Sequence, residues 1–208
     1  MSIICPTVLA DTVDEYRDQL EAVQGFASRI QIDLGDGRFT NETVGLADIW
    51  WPEHITADIH LMYKEPLKFV AELAGLRPGM VIVHAESDDA IKALELLREQ
   101  HIRTGVAILQ NTSVRDVADL VHLSDHVLIF SGSLGSFGGQ VDLSLLSKVL
   151  QIRTIEPDIE IGWDGGINLE TVRKLADGGI DVLNVGGAIQ KANHPENAYR
   201  DLLRQLHD

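Results

Sequence analysis

The chain is short of cysteine and of positive charge. Cys5 is the single cysteine among 208 residues, which excludes an intramolecular disulfide framework. Lys and Arg together number 17 against 32 Asp and Glu, a formal net charge of -15. Nucleic acid and anionic membrane surfaces call for the opposite balance, so neither is an expected partner. That charge would also repel a phosphorylated ligand at long range, leaving any phosphate to be held by local groups such as backbone N–H donors. No apolar run approaches the length that spans a bilayer, and no basic segment precedes the first apolar one. The cytoplasm is the expected location. No stretch has linker composition and no internal repeat is visible, so residues 1–208 read as one domain.

What is present is ordinary for a globular protein with a sizeable core: 45% apolar residues and 24% charged ones. Eight short apolar segments read as strands: residues 3–8, 28–33, 56–62, 80–84, 103–108, 126–130, 158–163 and 182–185. Helical patterns separate most of them. Thr12 and Glu15 form a capping box ahead of Tyr16, Leu20 and Val23 at helical spacing. Pro66 opens a helix over residues 66–74, and Ser87 is expected to cap one whose inward stripe is Ile91, Leu94, Leu97 and, less regularly, Leu96. Further helices are expected over 113–123, 142–155, from Asn168 to residue 177, and from Pro195 onward. Residues 40–54 are less regular. Strand–helix alternation implies a parallel sheet, and eight units in about 200 residues fit a (β/α)8 TIM barrel. A doubly wound open sheet is the alternative.

In a barrel the C-terminal ends of the strands meet around one mouth. Here those ends carry Thr7, Asp33, His60 with Met62, His84 with Glu86, a glycine-rich loop over 131–140, Asp164, and Gly186-Gly187. Any one of these has a bland explanation, such as a turn cap or a satisfied core histidine. Two carboxylates and two imidazoles converging from separate strands point instead to an acid/base centre. The loops holding Gly138 and Gly139, and Gly186 and Gly187, offer N–H groups that suit an anion.

In order and spacing these residues resemble the ribulose-phosphate 3-epimerase family. The resemblance runs from Ile4 to Ile189. It rests on Pro6-Thr-Val-Leu-Ala10, Asp33 with Asp36-Gly37 and Phe39, Asp58-Ile-His60-Leu-Met62, Val83-His84-Ala-Glu86, Phe137-Gly-Gly-Gln140, Asp164-Gly-Gly-Ile167 and Gly186-Gly187. It implies a phosphate-binding barrel that inverts C3 of a ketose phosphate, such as ribulose 5-phosphate or xylulose 5-phosphate, through a 2,3-enediolate. Asp33 and Asp164 would be the two acid/base carboxylates. A divalent cation (Zn, Fe, Mn, Co or Mg) would sit on Asp33, His60 and Asp164. Its fourth protein ligand would fall at Gln31, where the family has histidine. Thr7, His60 and Met62 would line the substrate site, with phosphate on Gly138, Gly139, Gly186 and Gly187. The expected partners are a small sugar phosphate and further copies of the same chain. Gly35 and Ser131 replace two of three methionines usual around the reacting centre.

A repurposed, non-catalytic phosphosugar-binding barrel is the second reading, motivated by Gln31, Gly35 and Ser131. A related sugar-phosphate decarboxylase would need a lysine close to Asp33, and the segment 33–39 has none; Lys64 lies past its strand. Trp50-Trp51 is read as buried against the sheet rather than as an oligomer anchor, and Trp163 as core. His54, His101, His122, His126, His194 and His207 are read as solvated.

Overall fold

Eight parallel strands close on themselves in sequence order, β1-β2-β3-β4-β5-β6-β7-β8, in a computed structural model that describes residues 2–136 and 139–207. The strands are β1 (Ile3–Val8), β2 (Arg29–Gly35), β3 (Thr56–Met62), β4 (Met80–His84), β5 (Arg103–Ile108), β6 (His126–Phe130), β7 (Glu160–Asp164) and β8 (Val182–Val185). Pairing of β1 with β8, from Ile3↔Val182 to Pro6↔Val185, completes the ring. The (β/α)8 barrel expected from the alternation is therefore the fold, and the open sheet is not.

Successive side chains on a strand point to opposite faces, and here the two faces differ in chemistry. One set, including Ile30, Ile32 and Leu34 on β2 and Ala57, Ile59 and Leu61 on β3, joins the main core between barrel and helices. The other set points to the barrel axis. Its apolar part is a separate small cluster of Met80, Ile82, Ala107 and Leu128. Buried Gln31, Asp33, Asp58, His60, His84, His126 and Asn184 belong to the axial set too. Many barrels fill this space with branched aliphatics. This one commits much of it to polar groups.

The outer layer is α1 (Val13–Val23), α2 (Val70–Leu76), α3 (Ala90–Glu99), α4 (Ala118–His122), α5 (Ser147–Ile155), α6 (Val172–Asp177), a short α7 (Gly187–Gln190) and α8 (Pro195–His207). None is long and apolar enough to cross a membrane, among the described residues. Helix α1 matches its sequence pattern: Thr12 Oγ1 accepts from Glu15 N, and Tyr16, Leu20 and Val23 are buried.

Four expectations need correction. Helix α3 starts after Asp89, whose φ of 54° turns the chain, so its buried stripe is Ala90, Ala93, Leu94 and Leu97 while Ile91 and Leu96 face solvent. Ser87 does not cap it; its hydroxyl donates instead to Tyr63 O at 2.6 Å. Trp50 is 46% exposed although Trp51 packs on the core, because the chain there is fixed by Tyr16 Oη donating to Trp50 O, which leaves the Trp50 ring outside. His126 is buried at the start of β6, its Nδ1 2.8 Å from Glu160 Oε2. Between β2 and β3 the only helical turn is Leu46–Asp48.

Candidate active site at the barrel mouth

Parity and register bring the site together. Gln31 and Asp33 are two apart on β2 and share the axial face. Thr7 is in register with Gln31, Asp33 with His60, and Asp164 with Asn184. Neighbours in register on a parallel sheet point the same way, so side chains from five strands converge at one end of the barrel axis. Of these, Thr7, Asp33, Asp164 and Asn184 line a cavity of about 280 Å³ together with Met62, Phe130, Gly139, Gly186 and Gly187.

Two glycine positions show how tightly the loops are drawn over this cavity. A Cβ on Gly35 would lie 2.0 Å from Asn41 O, so the loop after β2 occupies the space a side chain would take. Gly35 is also bound to Thr43 through its N–H and its carbonyl. Gly165, at φ +109°, would put a Cβ 2.2 Å from Gly132 N. The loops after β6 and β7 can touch there only because that residue has no side chain.

At the centre, Gln31 Nε2 donates to Asp33 Oδ1 at 2.8 Å and to Asp164 Oδ2 at 2.5 Å. His60 Nδ1 is 2.9 Å from Asp33 Oδ1 and 3.9 Å from Asp164 Oδ2. Burial, and then the neighbouring Asp33 charge, push Asp164 up to about 7; His60 and Gln31 oppose this only in part. On the far side of His60, its Nε2 lies 2.9 Å from His84 Nε2. Burial holds His84 down at about 4, outweighing the Glu86 carboxylate, so the ring is neutral at physiological pH. Glu86 is brought to about 2: burial raises it, but hydrogen bonds from His84, Thr112 and Leu109 N prevail.

Asp33, His60 and Asp164 each offer a donor atom within 4.8 Å of the others, a mixed oxygen and nitrogen set of the kind that holds a divalent cation. Gln31 Oε1 is buried with no hydrogen-bond partner. Rotating that amide by half a turn would aim the orphaned oxygen at the same centre. The residues present therefore fit a divalent metal.

Of the residues singled out by sequence, Asp33, His60, Asp164 and Gln31 are in mutual contact, while Thr7, Met62, Gly139, Gly186 and Gly187 line the cavity. Gly138 lies outside the described residues. Ser131 turns out to brace its own loop, its hydroxyl accepting from Asp142 N and donating to Gln140 O. Asn184 and Lys191 are among the lining residues that escaped sequence reasoning. Asn184 is axial on β8, and its Nδ2 is buried without a partner, as is Thr7 Oγ1. Its parity with Gly186 was the available signal. Lys191, at the end of α7, also lines the cavity; nothing in the sequence sets it apart from other lysines.

Comparison with known proteins agrees with this geometry. Residues 3–190 match the model of the ribulose-phosphate 3 epimerase family. The ribulose-phosphate 3-epimerase of Mycobacterium tuberculosis is 30% identical over 213 residues, covering 98% of this chain and 92% of its own. That of Bacillus subtilis is 27% identical over 211 residues, covering 96% and 97%. Among solved structures, KGPDC from Streptococcus mutans superposes with TM-score 0.75 at 12% identity, over 100% of this chain and 98% of that one. The 3-hexulose-6-phosphate synthase of Salmonella typhimurium gives 0.73 at 17%, over 100% and 99%. These last two share the barrel fold. Since the family match takes in residues 3–190 and a relative is 30% identical across 98% of the sequence, the chain belongs to the ribulose-phosphate 3 epimerase family, a family of isomerases.

Proposed function

We propose that the protein is a metal-assisted 3-epimerase of a ketose phosphate, interconverting ribulose 5-phosphate and xylulose 5-phosphate or a close relative. The observation that carries this reading is the Asp33–Asp164 pair: two carboxylates from β2 and β7, bridged by one amide, with Asp164 raised by burial and by the Asp33 charge. Inverting a carbon acid requires removal of a proton from one face and delivery to the other. Two opposed carboxylates can do both when one is ionised and the other protonated, the first taking the C3 proton while the second supplies its own. Each passage leaves the pair in the opposite protonation state, ready for the reverse substrate.

A divalent cation on Asp33, His60, Asp164 and a rotated Gln31 would polarise the C2 carbonyl and stabilise the charge of the 2,3-enediolate. An amide oxygen in place of an imidazole suits Mg, Mn or Fe relatively better than it suits Zn. Thr7 Oγ1 and Asn184 Nδ2, both buried without partners, are placed to meet substrate hydroxyls or carbonyl. Phosphate is assigned to the backbone of Gly139, Gly186 and Gly187, with Gly138 of the same loop. Lys191 is the one Lys or Arg lining the cavity among the described residues, and it adds a positive charge beside those glycines.

Solvent deuterium tests the proposal. Ketose phosphate incubated with the protein in D2O gains label at C3, and Asp33→Asn or Asp164→Asn lowers that exchange by about 10^2- to 10^4-fold. Unmutated, metal-supplied protein that labels neither pentulose phosphate nor any other ketose phosphate refutes it. The competing reading, a phosphosugar-binding barrel without catalysis, draws on Gln31; near-stoichiometric metal held through Asp33, His60 and Asp164 counts against that alternative.

A further inference from the structure

His84 and Glu86 lie behind the acid/base centre, and proton transfer to substrate makes no use of them. His60 connects them to it. Its Nδ1 faces Asp33 Oδ1 and its Nε2 faces His84 Nε2, both at 2.9 Å. Only one hydrogen fits between two Nε2 atoms, so the tautomers of the two rings are locked in step. If His60 carries its hydrogen on Nε2, His84 must carry its own on Nδ1, and the reverse arrangement moves both.

A carboxylate waits at each end of this two-ring unit, and only one of them can be served. Glu86 Oε2 is 3.3 Å from His84 Nδ1 and has no other donor among the described residues; Oε1 is taken by Leu109 N and Thr112 Oγ1. Asp33 Oδ1 already receives the Gln31 amide. Sending the hydrogen to the Glu86 end turns the His60 Nδ1 lone pair toward Asp33 Oδ1, an arrangement that a cation shared by the two would stabilise, whereas sending it to Asp33 sets a His84 lone pair against Glu86. The Glu86 end is also well anchored. Buried Lys148 donates to the carbonyls of Leu109 and Thr112, fixing the segment that grips the carboxylate.

We propose that His84 and Glu86 are positioning residues that hold His60 in the tautomer with hydrogen on Nε2, so that its Nδ1 lone pair faces the Asp33–Asp164 centre as a metal ligand. This rests on the metal-assisted reading above. Outer partners of this kind orient ligating imidazoles, and their loss costs roughly 10- to 100-fold in metal affinity.

Glu86→Gln is the decisive variant. Its side-chain oxygen stays with the Leu109 and Thr112 donors, so the amide NH2 turns to His84 Nδ1 and drives both rings into the opposite tautomer. Zinc affinity, read by competition with a chromophoric chelator, is expected to fall about 10- to 100-fold. In zinc-loaded unmutated protein, nitrogen-15 imidazole shifts should place hydrogen on His84 Nδ1 and His60 Nε2. Thr112→Val keeps the carboxylate facing His84 and should hold zinc within about twofold of the unmutated chain, well inside that range. Unchanged affinity in Glu86→Gln, or the same loss in both variants, overturns the tautomer assignment while leaving the metal site standing. Failure of the unmutated chain to bind zinc, manganese or magnesium overturns both.

Discussion

Gln31 is the residue on which the chemistry turns. Its NH2 sits between two carboxylates that would otherwise repel each other, and its oxygen has no partner. An imidazole at this position would bring a nitrogen lone pair, a better zinc ligand than an amide oxygen. Gln31→His should therefore raise zinc affinity by at least the ~10-fold that one supporting contact is worth to a metal site, with turnover rising alongside, measured by chelator competition and C3 exchange. An affinity that does not move would mean that position 31 serves to bridge the carboxylates and not to bind metal. Gln31, Asp33, His60 and Asp164 could all be found from sequence because parity and strand-end position are local signals. Gly35 could be recognised as an exception but not explained. The atom that forbids a side chain there, Asn41 O, belongs to a loop whose path no periodicity encodes.

Strands carry a second polar centre at their opposite ends. Arg29, the first residue of β2, reaches Asp58 Oδ2 at 2.6 Å and both oxygens of Glu160 at 2.9 and 2.8 Å, and His126 joins through Glu160. This ties the starts of β2, β3, β6 and β7 across the axis, where other barrels use aliphatic packing. Replacing Arg29 with Met would strand buried Asp58 and leave Glu160 with His126 at 2.8 Å and Arg103 at 3.8 Å, at a cost of about 3–5 kcal/mol in urea unfolding. The network also sets an acid limb. Burial raises Glu160, but the Arg29 and His126 hydrogen bonds overcome it and hold the group well below its ordinary 4.5. A depressed carboxylate stabilises the fold above its unfolded pKa and loses that contribution as pH falls through its folded value. Urea midpoints should thus decline below about pH 4.5, and Glu160→Gln should flatten that decline; an unchanged slope would remove Glu160 from the acid limb. The strands themselves were legible because alternation and short apolar runs are local. This network was not: His126 reads as one more histidine before an apolar run until its partner, 34 residues on, comes beside it. The stripe of α3 was misjudged for a related reason. The left-handed turn at Asp89 moved the helix start, and with it the buried face onto two alanines that hydropathy alone ranks below Ile91 and Leu96.

The whole molecule carries a charge of -15, yet the proposed substrate is a phosphate dianion at neutral pH. Many enzymes draw charged substrates in with a complementary field, and their association slows as salt screens it. Here the long-range field opposes approach, and attraction begins only within a few ångströms of Lys191 and the glycine backbone at the mouth. The Debye length shrinks from about 30 Å at 0.01 M salt to about 8 Å at 0.15 M. Over that interval the repulsion from the distant surface is largely removed, while contacts inside the cavity are screened much less. The value of kcat/KM for ketose phosphate should therefore rise with ionic strength, and do so through KM, with kcat nearly flat because proton transfer takes place in a site shielded from the salt. Initial rates with a non-coordinating salt, at fixed saturating metal, separate this from competition for the cation. A steady fall in kcat/KM across the same range would show that the mouth's own donors dominate the field out to the encounter distance, and that the acidic surface plays no part in substrate capture.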